Sequence, residues 1–357
     1  MTPRVTFAAI LLRNSKLAGR VANRTSQWSE RESVLLALAN DTHVGFGEAA
    51  PLPGFSHENI ADVLRALQDL VAQLDPAGEG ESIAPTELFA RMASRFAHAW
   101  PRVSSAQFAV ESALWMLHTR SLARTEDALG QLLQGLTPAP PSAQCCWLLG
   151  GGACAPEQWA DLAARALQRG VPGAVKVKVA STRSDFSSEL SGIRALRAVL
   201  GPAVELRTDA NGGFALLDAP ARMRALADAG ADSLEEPCPA HDLRSVDRGP
   251  LRFYLDESLA DHTIAHALVD QSNCAGLVLK PAVVGGWVRA MDLARAAARR
   301  GIPCAISHIF DGPVAMQALR TLQPHVPACT LPSALDAHEG SAVDELAATQ
   351  LSKFVRV

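Results

Sequence analysis

Ala174-Val175-Lys176-Val177-Lys178-Val179 alternates valine with lysine along six residues. Successive side chains of a strand point to opposite faces, so the two lysines share one face and the valines the other. Valines suit burial beneath helices, which turns Lys176 and Lys178 toward the inside of a sheet. The next strand-like run, 204–210, places Arg207 and Asp209 on one parity. In Ser233-Leu234-Glu235-Glu236, Leu234 faces the helices, so Glu235 faces inward and Glu236 does not. Two further runs end in Asp256-Glu257-Ser258 and Lys280-Pro281. Five consecutive strands therefore end in a charge.

Outward from this stretch, short apolar runs near 144–149, 174–179, 204–210, 233–236, 252–257, 276–280, 303–307 and 328–331 alternate with helical patterns. The helical runs cover 156–169, 186–200, 217–229, 263–270, 286–300 and 313–322. Such alternation implies βαβ units and a parallel sheet. About eight units suit a closed barrel better than an open sheet, and no glycine-rich dinucleotide loop follows the first strand. A (β/α) barrel takes about 250 residues, which leaves about a hundred at the start of the chain. There, strand-like runs at 5–12, 33–39 and 44–48 precede helical patterns at 57–74, 85–97 and from 104 onward. Asn40-Asp41 is turn chemistry and predicts an antiparallel pair. The stretches 76–82 and 137–142 read as loops. Gly45-Phe46-Gly47-Glu48-Ala49-Ala50 imitates a dinucleotide fingerprint, but Pro51 and Pro53 follow at once, so a strand running into a loop is the reading.

Composition excludes several classes. With 33 Lys+Arg against 37 Asp+Glu, the net charge of -4 and the absence of a basic run argue against nucleic-acid binding. No apolar stretch reaches the roughly 20 residues of a membrane span. The seven cysteines are odd in number, lack a Cys-x-x-Cys pair and mostly sit in apolar runs. They read as reduced core thiols of a cytoplasmic protein.

Inward charges near a barrel core are costly unless paired or metal-bound. Asp209, Glu235 and Asp256, on three adjacent strands, are expected to converge as hard oxygen ligands for Mg²⁺, with Mn²⁺ as the alternative. Lys178 and Lys280 flank them. A cationic neighbour such as Lys176, together with a metal, disfavours the ammonium form of Lys178 and suits it to general-base work. Scattered salt bridges would not place Lys, Asp, Glu, Asp and Lys in order on five strand ends. Arg207 reads as a pocket contact or a core salt bridge, and His308, after Ser307 at a strand end, as a substrate contact or as packing.

Together, Lys176-Val177-Lys178, Asp209-Ala210-Asn211, Leu234-Glu235-Glu236-Pro237, Asp256-Glu257-Ser258 and Lys280-Pro281 resemble the muconate-lactonizing subgroup of the enolase superfamily. Gly45-Phe46-Gly47-Glu48-Ala49-Ala50-Pro51-Leu52-Pro53-Gly54-Phe55-Ser56, Arg207-Thr208-Asp209-Ala210-Asn211 and Leu279-Lys280-Pro281-Ala282-Val283-Val284-Gly285-Gly286 are most similar to the o-succinylbenzoate synthase family. The resemblance spans roughly residues 30 to 340. It implies an α/β fold: an N-terminal α+β capping domain over 1–125, a (β/α)7β TIM-like barrel over 126–332, and a segment, 333–357, returning to the cap. It also implies Mg²⁺-dependent syn-dehydration of 2-succinyl-6-hydroxy-2,4-cyclohexadiene-1-carboxylate to 2-succinylbenzoate, a step of menaquinone biosynthesis. By that resemblance Lys178 removes the α-proton, Mg²⁺ on Asp209, Glu235 and Asp256 holds the enediolate, and Lys280 steadies the anion from the other face. Lys176, Arg207, Asn211, Gly285, Ser307 and His308 are the implied substrate-binding or supporting positions, and the partner is a small carboxylate. The alternatives within the subgroup are an N-acylamino acid racemase, a dipeptide epimerase and a cycloisomerase. Cys146 stands where related enzymes often carry Asn, and Ser307-His308-Ile309-Phe310-Asp311-Gly312-Pro313 departs from the usual serine-rich segment ending in an acid.

Overall fold

Strands β1 (Phe7–Ala22), β2 (Gln27–Ala39) and β3 (Val44–Ala49) open the chain as an antiparallel meander. The protein is described here by a computed structural model, covering residues 5–73, 103–119, 122–125, 128, 132, 144–247, 249–335 and 355–356. The expected helix over 85–97 and the loops 76–82 and 137–142 lie outside the described residues. As the Asn40-Asp41 chemistry predicts, Ala39 pairs with Val44, and the Asn40 side-chain oxygen accepts from the backbone N–H groups of Thr42 and His43. β1 and β2 run well past their apolar segments into polar pairs such as Arg13↔Ser33 and Lys16↔Glu30. Exposed residues such as Asn14, Lys16, Glu30 and Glu32 alternate there with buried ones such as Arg31 and Ser33, so no apolar run announces the extension.

Helices α1 (Ile60–Gln73) and α2 (Ser104–His118) pack on one face of this sheet, with Val34, Leu36, Leu38, Val63, Leu67, Ala109 and Ala113 in a common core. Gly45 and Gly47 permit that contact. A Cβ on Gly47 would fall 1.8 Å from the Ala109 carbonyl oxygen, and one on Gly45 would fall 2.0 Å from that of Ala113. The glycines that imitate a dinucleotide motif are thus places where a helix backbone meets a strand.

The second layer is a seven-stranded parallel sheet in the order β10-β9-β8-β7-β6-β5-β4. Its strands are β4 (Cys146–Leu148), β5 (Ala174–Lys178), β6 (Glu205–Asp209), β7 (Ser233–Glu235), β8 (Arg252–Leu255), β9 (Gly276–Leu279) and β10 (Cys304–Ile306). Helices α3 (Trp159–Leu167), α4 (Phe186–Leu200), α5 (Ala219–Ala229), α6 (Ala265–Gln271), α7 (Gly286–Arg299) and α8 (Pro313–Leu322) alternate with them. Val175, Val177 and Val179 are buried in one cluster with Ile193 and Leu196 of α4. Each such side chain contributes roughly 1.5–3 kcal/mol of burial free energy. The eighth segment closes the barrel without being a regular strand. Cys304 donates to the Ala328 carbonyl, Leu331 donates back to Cys304, and Cys146 donates to the Ser333 carbonyl. Residues 328–333 therefore bridge β10 to β4, and the expected strand over 328–331 is a bent connector. Val355–Arg356 (β11) pairs with Ile10 and Ala9 of β1, which brings this end of the chain to the cap sheet.

Three buried glutamates hold helix N-termini, one within the cap and two across the cap–barrel seam. Glu58 accepts from Ser105 N (3.0 Å) at α2. Glu111 of α2 accepts from Trp287 N and Val288 N at α7. Glu48 of β3 accepts from Ala315 N (3.1 Å) at α8. Orphan N–H groups and the positive end of the helix dipole both favour a carboxylate there. No disulfide joins the described cysteines. Among the described residues no helix is long and apolar enough to cross a membrane.

Candidate active site and metal centre

Register decides which side chains meet. Lys178 lies opposite Asp209, and Asp209 opposite Glu235, across β5, β6 and β7. One layer below, Lys176 lies opposite Arg207 and Arg207 opposite Ser233. The barrel interior is accordingly a charged network. Glu205 accepts from Ser233 Oγ, from the Tyr254 hydroxyl and from Arg207. Arg207 Nη1 reaches Glu235 Oε1 at 3.3 Å, and Lys176 Nζ donates to Glu235 Oε2 at 2.8 Å. Lys176 also lies 3.3 Å from Asp209 Oδ2, to which Lys178 Nζ donates at 2.5 Å. Lys280 Nζ donates to Asp256 Oδ2 at 2.7 Å and lies 3.7 Å from Glu257 Oε1.

The expected inward residues Lys176, Lys178, Arg207, Asp209, Glu235, Asp256 and Lys280 are thus brought together. Arg207 is a buried support below the cavity, ion-paired to Glu205 and Glu235. Asn211 bridges outward: its Nδ2 donates to Glu257 Oε1 at 2.6 Å, and its Oδ1 accepts from Arg24 N of the cap. Gly285 is a left-handed turn (φ 96°) before α7 and does not line the cavity described below. Glu236 points away, as its parity predicts, and braces the next loop by accepting from Asp256 N and Ser258 N.

The carboxylates that gather most closely differ from the expected trio. Oxygens of Asp209, Asp256 and Glu257 all lie within 4.8 Å of one another. Glu235 is absent from this group, its two oxygens being engaged by Lys176 and Arg207. Four cations, Lys176, Lys178, Arg207 and Lys280, face five carboxylates, Glu205, Asp209, Glu235, Asp256 and Glu257. Asp256 Oδ1 and Glu257 Oε2 are buried and accept no hydrogen bond. Burial and the Glu257 charge push Asp256 up to about 8. Burial raises Asp209 too, but Lys178, Lys176 and Lys280 outweigh it and hold that carboxyl below the usual range. Burial likewise opposes the Lys176 ammonium, yet Glu235, Asp209 and Asp256 keep its pKa well above the ordinary lysine value. Excess buried carboxylate with orphaned oxygens and no nitrogen or sulfur donor fits a hard divalent cation.

Above this floor lies a cavity with some 490 Å³ of empty space, counting its open mouth. Lys176, Lys178, Lys280 and Glu257 line its base, Ser307, His308, Ile309 and Phe310 one side, and Trp28, Leu52 and Phe55 of the cap another. The Lys280 ammonium lies over the Phe55 ring, 5.2 Å from its centre. The chain bends sharply at the strand tops: Ala180, Asn211, Glu236 and Phe310 have φ of 53°, 44°, 42° and 59°. A side chain in that left-handed region is strained by an amount of order 1 kcal/mol or more, and such residues cluster at functional sites.

The profile of the enolase C-terminal domain-like family matches residues 158–352, more than half of the chain. The chain is a member of the enolase superfamily. The profile described as MenC, N-terminal domain, matches residues 13–94, within the cap segment. Among superfamily relatives, the o-succinylbenzoate synthase of Desulfotalea psychrophila is 28% identical over 154 residues, and the match spans 41% of the length of each protein. At greater length, identity is 27% both to the o-succinylbenzoate synthase of Thermosynechococcus vestitus, over 83% of each chain, and to the L-Ala-D/L-Glu epimerase of Escherichia coli, over 84% of each. Identity alone therefore does not choose between lyase and epimerase. The L-Ala-D/L-Glu epimerase of Bacillus subtilis superposes with a TM-score of 0.77 at 21% identity, covering 96% of this chain and 92% of that one, which places the superfamily fold on this chain.

Sequence reasoning passed over Glu205, Glu257, Trp28 and Arg31, and marked Phe310 only as part of the departing segment 307–313. Glu205 shares the parity of Arg207 and Asp209, a signal available in the sequence. Glu257 was visible next to Asp256 but lies beyond the end of β8, where parity no longer applies. Trp28 and Arg31 matter through contacts between distant segments and carry no local signal, and the same contacts give Phe310 its place.

Proposed function

We propose that this protein is an o-succinylbenzoate synthase that dehydrates 2-succinyl-6-hydroxy-2,4-cyclohexadiene-1-carboxylate to 2-succinylbenzoate. The observation that carries the reading is the cavity's charge pattern. Lys176, Lys178 and Lys280 line it with Glu257 as the one acid among the described lining residues, and Ala334 represents the closing segment. A dicarboxylate meets three lysine side chains there, each also paired to a carboxylate of the floor that a bound divalent cation would draw away. Among the described residues of the closing segment, 328–335, no carboxylate stands ready to receive a dipeptide's ammonium. Aromatic rings at Trp28, Phe55 and Phe310 suit a flat six-membered ring, and the cap match to the MenC family supports the same reading.

Lys178 leaves Asp209 and removes the proton from the carbon bearing the ring carboxylate. Lys280 faces the developing anion. The protonated Lys178 then gives its proton to the departing hydroxyl, the C–O bond breaks, water leaves and the ring becomes aromatic. Mg²⁺ supplies, when bound, the charge that makes such a weak carbon acid accessible. Asp209 and Asp256 belong both to the trio read from sequence and to the gathered trio, and the superfamily resemblance makes Glu235 the third ligand. Glu257 then orients Asn211 and Lys280.

Purified protein with Mg²⁺ and the cyclohexadiene substrate is expected to release 2-succinylbenzoate, with loss of turnover in EDTA or on Lys178→Ala. Folded, metal-replete protein without turnover would sink the assignment. A second reading, an N-acylamino acid racemase, draws support from Lys178 and Lys280 lining one cavity, since two-base racemisation needs one lysine per face. Solvent deuterium entering the α-carbon of N-succinylamino acids without any dehydration would favour it.

A further inference from the structure

Arg31 stands on β2 of the cap, 4% exposed and outside the cavity lining. Its guanidinium ties two loops together. Nη1 donates to the Pro51 carbonyl at 2.8 Å and Nη2 to that of Ala50. Nε donates to the Phe310 carbonyl at 3.2 Å, and Nη2 lies 3.7 Å from Asp311 Oδ1. Ala50 and Pro51 open the cap loop that carries Leu52 and Phe55. Phe310 and Asp311 belong to the barrel loop that carries Ser307 and His308. The same loops meet again at Trp28, whose Nε1 donates to the Pro53 carbonyl at 3.0 Å and whose ring centre lies 6.3 Å from that of Phe310. Phe310 N–H in turn donates to His308 Nδ1 at 2.9 Å. The grip on Phe310 therefore extends to the imidazole lining the cavity.

We propose that Arg31 is a positioning residue that clamps cap loop 50–56 to barrel loop 307–313 and so sets the shape of the substrate cavity. It touches no reacting group. Only a guanidinium offers donors in one plane to three carbonyls at once, and a lysine ammonium cannot reproduce that fork. Phe310 and Asp311, which Arg31 holds, lie in the barrel segment 307–313 that departs from the family's serine-rich pattern.

Two measurements on the full chain test the clamp. In amide hydrogen exchange, Arg31→Lys is expected to speed both loops by roughly tenfold while β5 and β6 stay unchanged. Acceleration in one loop only, or spread evenly over the protein, overturns the proposal. In steady-state kinetics, which rest on the dehydratase reading, Arg31→Lys is expected to raise KM by about tenfold with kcat and Mg²⁺ affinity nearly unchanged, and added guanidinium ion to restore KM in Arg31→Ala. An active, folded variant with unmoved KM overturns it, since a merely structural arginine would lower thermal stability alone. If both variants fail to fold, Asp311→Asn must still speed both loops, and unchanged exchange overturns the clamp. If the wild-type protein does not dehydrate the substrate, the functional reading fails and the exchange experiment still decides the clamp.

Discussion

Phe55 of the cap covers Lys280 of the barrel, ring centre to ammonium 5.2 Å. The pair joins two segments more than two hundred residues apart, and it places an aromatic face over one of the two lysines proposed for the chemistry. A cation beneath a ring is attracted to the π face by roughly 0.5–2 kcal/mol, more when water is excluded.

Phe55→Leu keeps an apolar side chain and removes the π face. It is expected to lower kcat/KM by about tenfold, equivalent to about 1.4 kcal/mol. Mg²⁺ affinity should be unaffected, because Phe55 is not among the gathered carboxylates. Steady-state kinetics beside metal titration calorimetry would check this. A parallel fall in metal affinity would assign Phe55 a structural role instead.

Lys178→Ala should reduce kcat by about 10²–10⁴-fold, the range for loss of a general acid–base. Lys280→Ala should reduce it too. The pair also separates the two readings. In a racemase each single variant keeps its remaining base and continues to exchange the α-proton of one enantiomer. In the dehydratase Lys178→Ala abolishes exchange outright. Proton NMR in D2O reads both outcomes.

Metal binding depends on the carboxylates unequally. Asp209→Asn and Asp256→Asn remove ligands common to the expected and the gathered trio, and should each weaken Mg²⁺ binding sharply. Glu235→Gln should weaken it more than Glu257→Gln. The reverse order in calorimetry would move the third ligand to Glu257 and leave Glu235 as the partner of Lys176 and Arg207.

Glu111 gives the seam between cap and barrel a pH dependence. Burial pushes its carboxyl up from 4.5 to about 7, against the pull of the Val288 and Trp287 N–H groups, Gln107 and Arg289. The folded protein therefore binds this proton more tightly than the unfolded chain. Its stabilising effect is complete below about pH 4.5 and is lost as pH rises through about 7. Glu111→Gln cannot ionise, so its stability relative to wild type should improve by up to about 3 kcal/mol between these limits. Denaturant unfolding of both proteins at acidic and neutral pH measures it, and parallel pH profiles would contradict the assignment.

Much of the site was legible because strand geometry is local. Val175, Val177 and Val179 went under α4, and Lys176 and Lys178 went inward, as their alternation requires. Asp209 and Glu235 followed by the same parity, and parallel register then set them side by side. The antiparallel turn at Asn40-Asp41 was legible for a similar reason, since the Asn40 side chain bonds its own neighbours. The extension of β1 and β2 was not, because its buried positions include polar residues such as Arg31 and Ser33, which carry no apolar alternation. The closing segment at 328–333 was not either, because its bridges to Cys304 and Cys146 depend on both ends of the sheet being present.

The sequence by itself determined the order of β/α units and which face of each strand is charged, since alternation is a property of one backbone. Tertiary structure alone decided which charges pair. Glu235 and Glu257 are chemically alike, yet Lys176 and Arg207 meet one and leave the other with a buried oxygen that accepts no hydrogen bond. It likewise decided that Trp28 and Phe55 of the cap would wall a cavity in the barrel, and that Arg31 behind them would hold the two loops together. A side chain's partners are set by whatever distant segments packing brings against it, and no window of sequence around Arg31 contains Phe310.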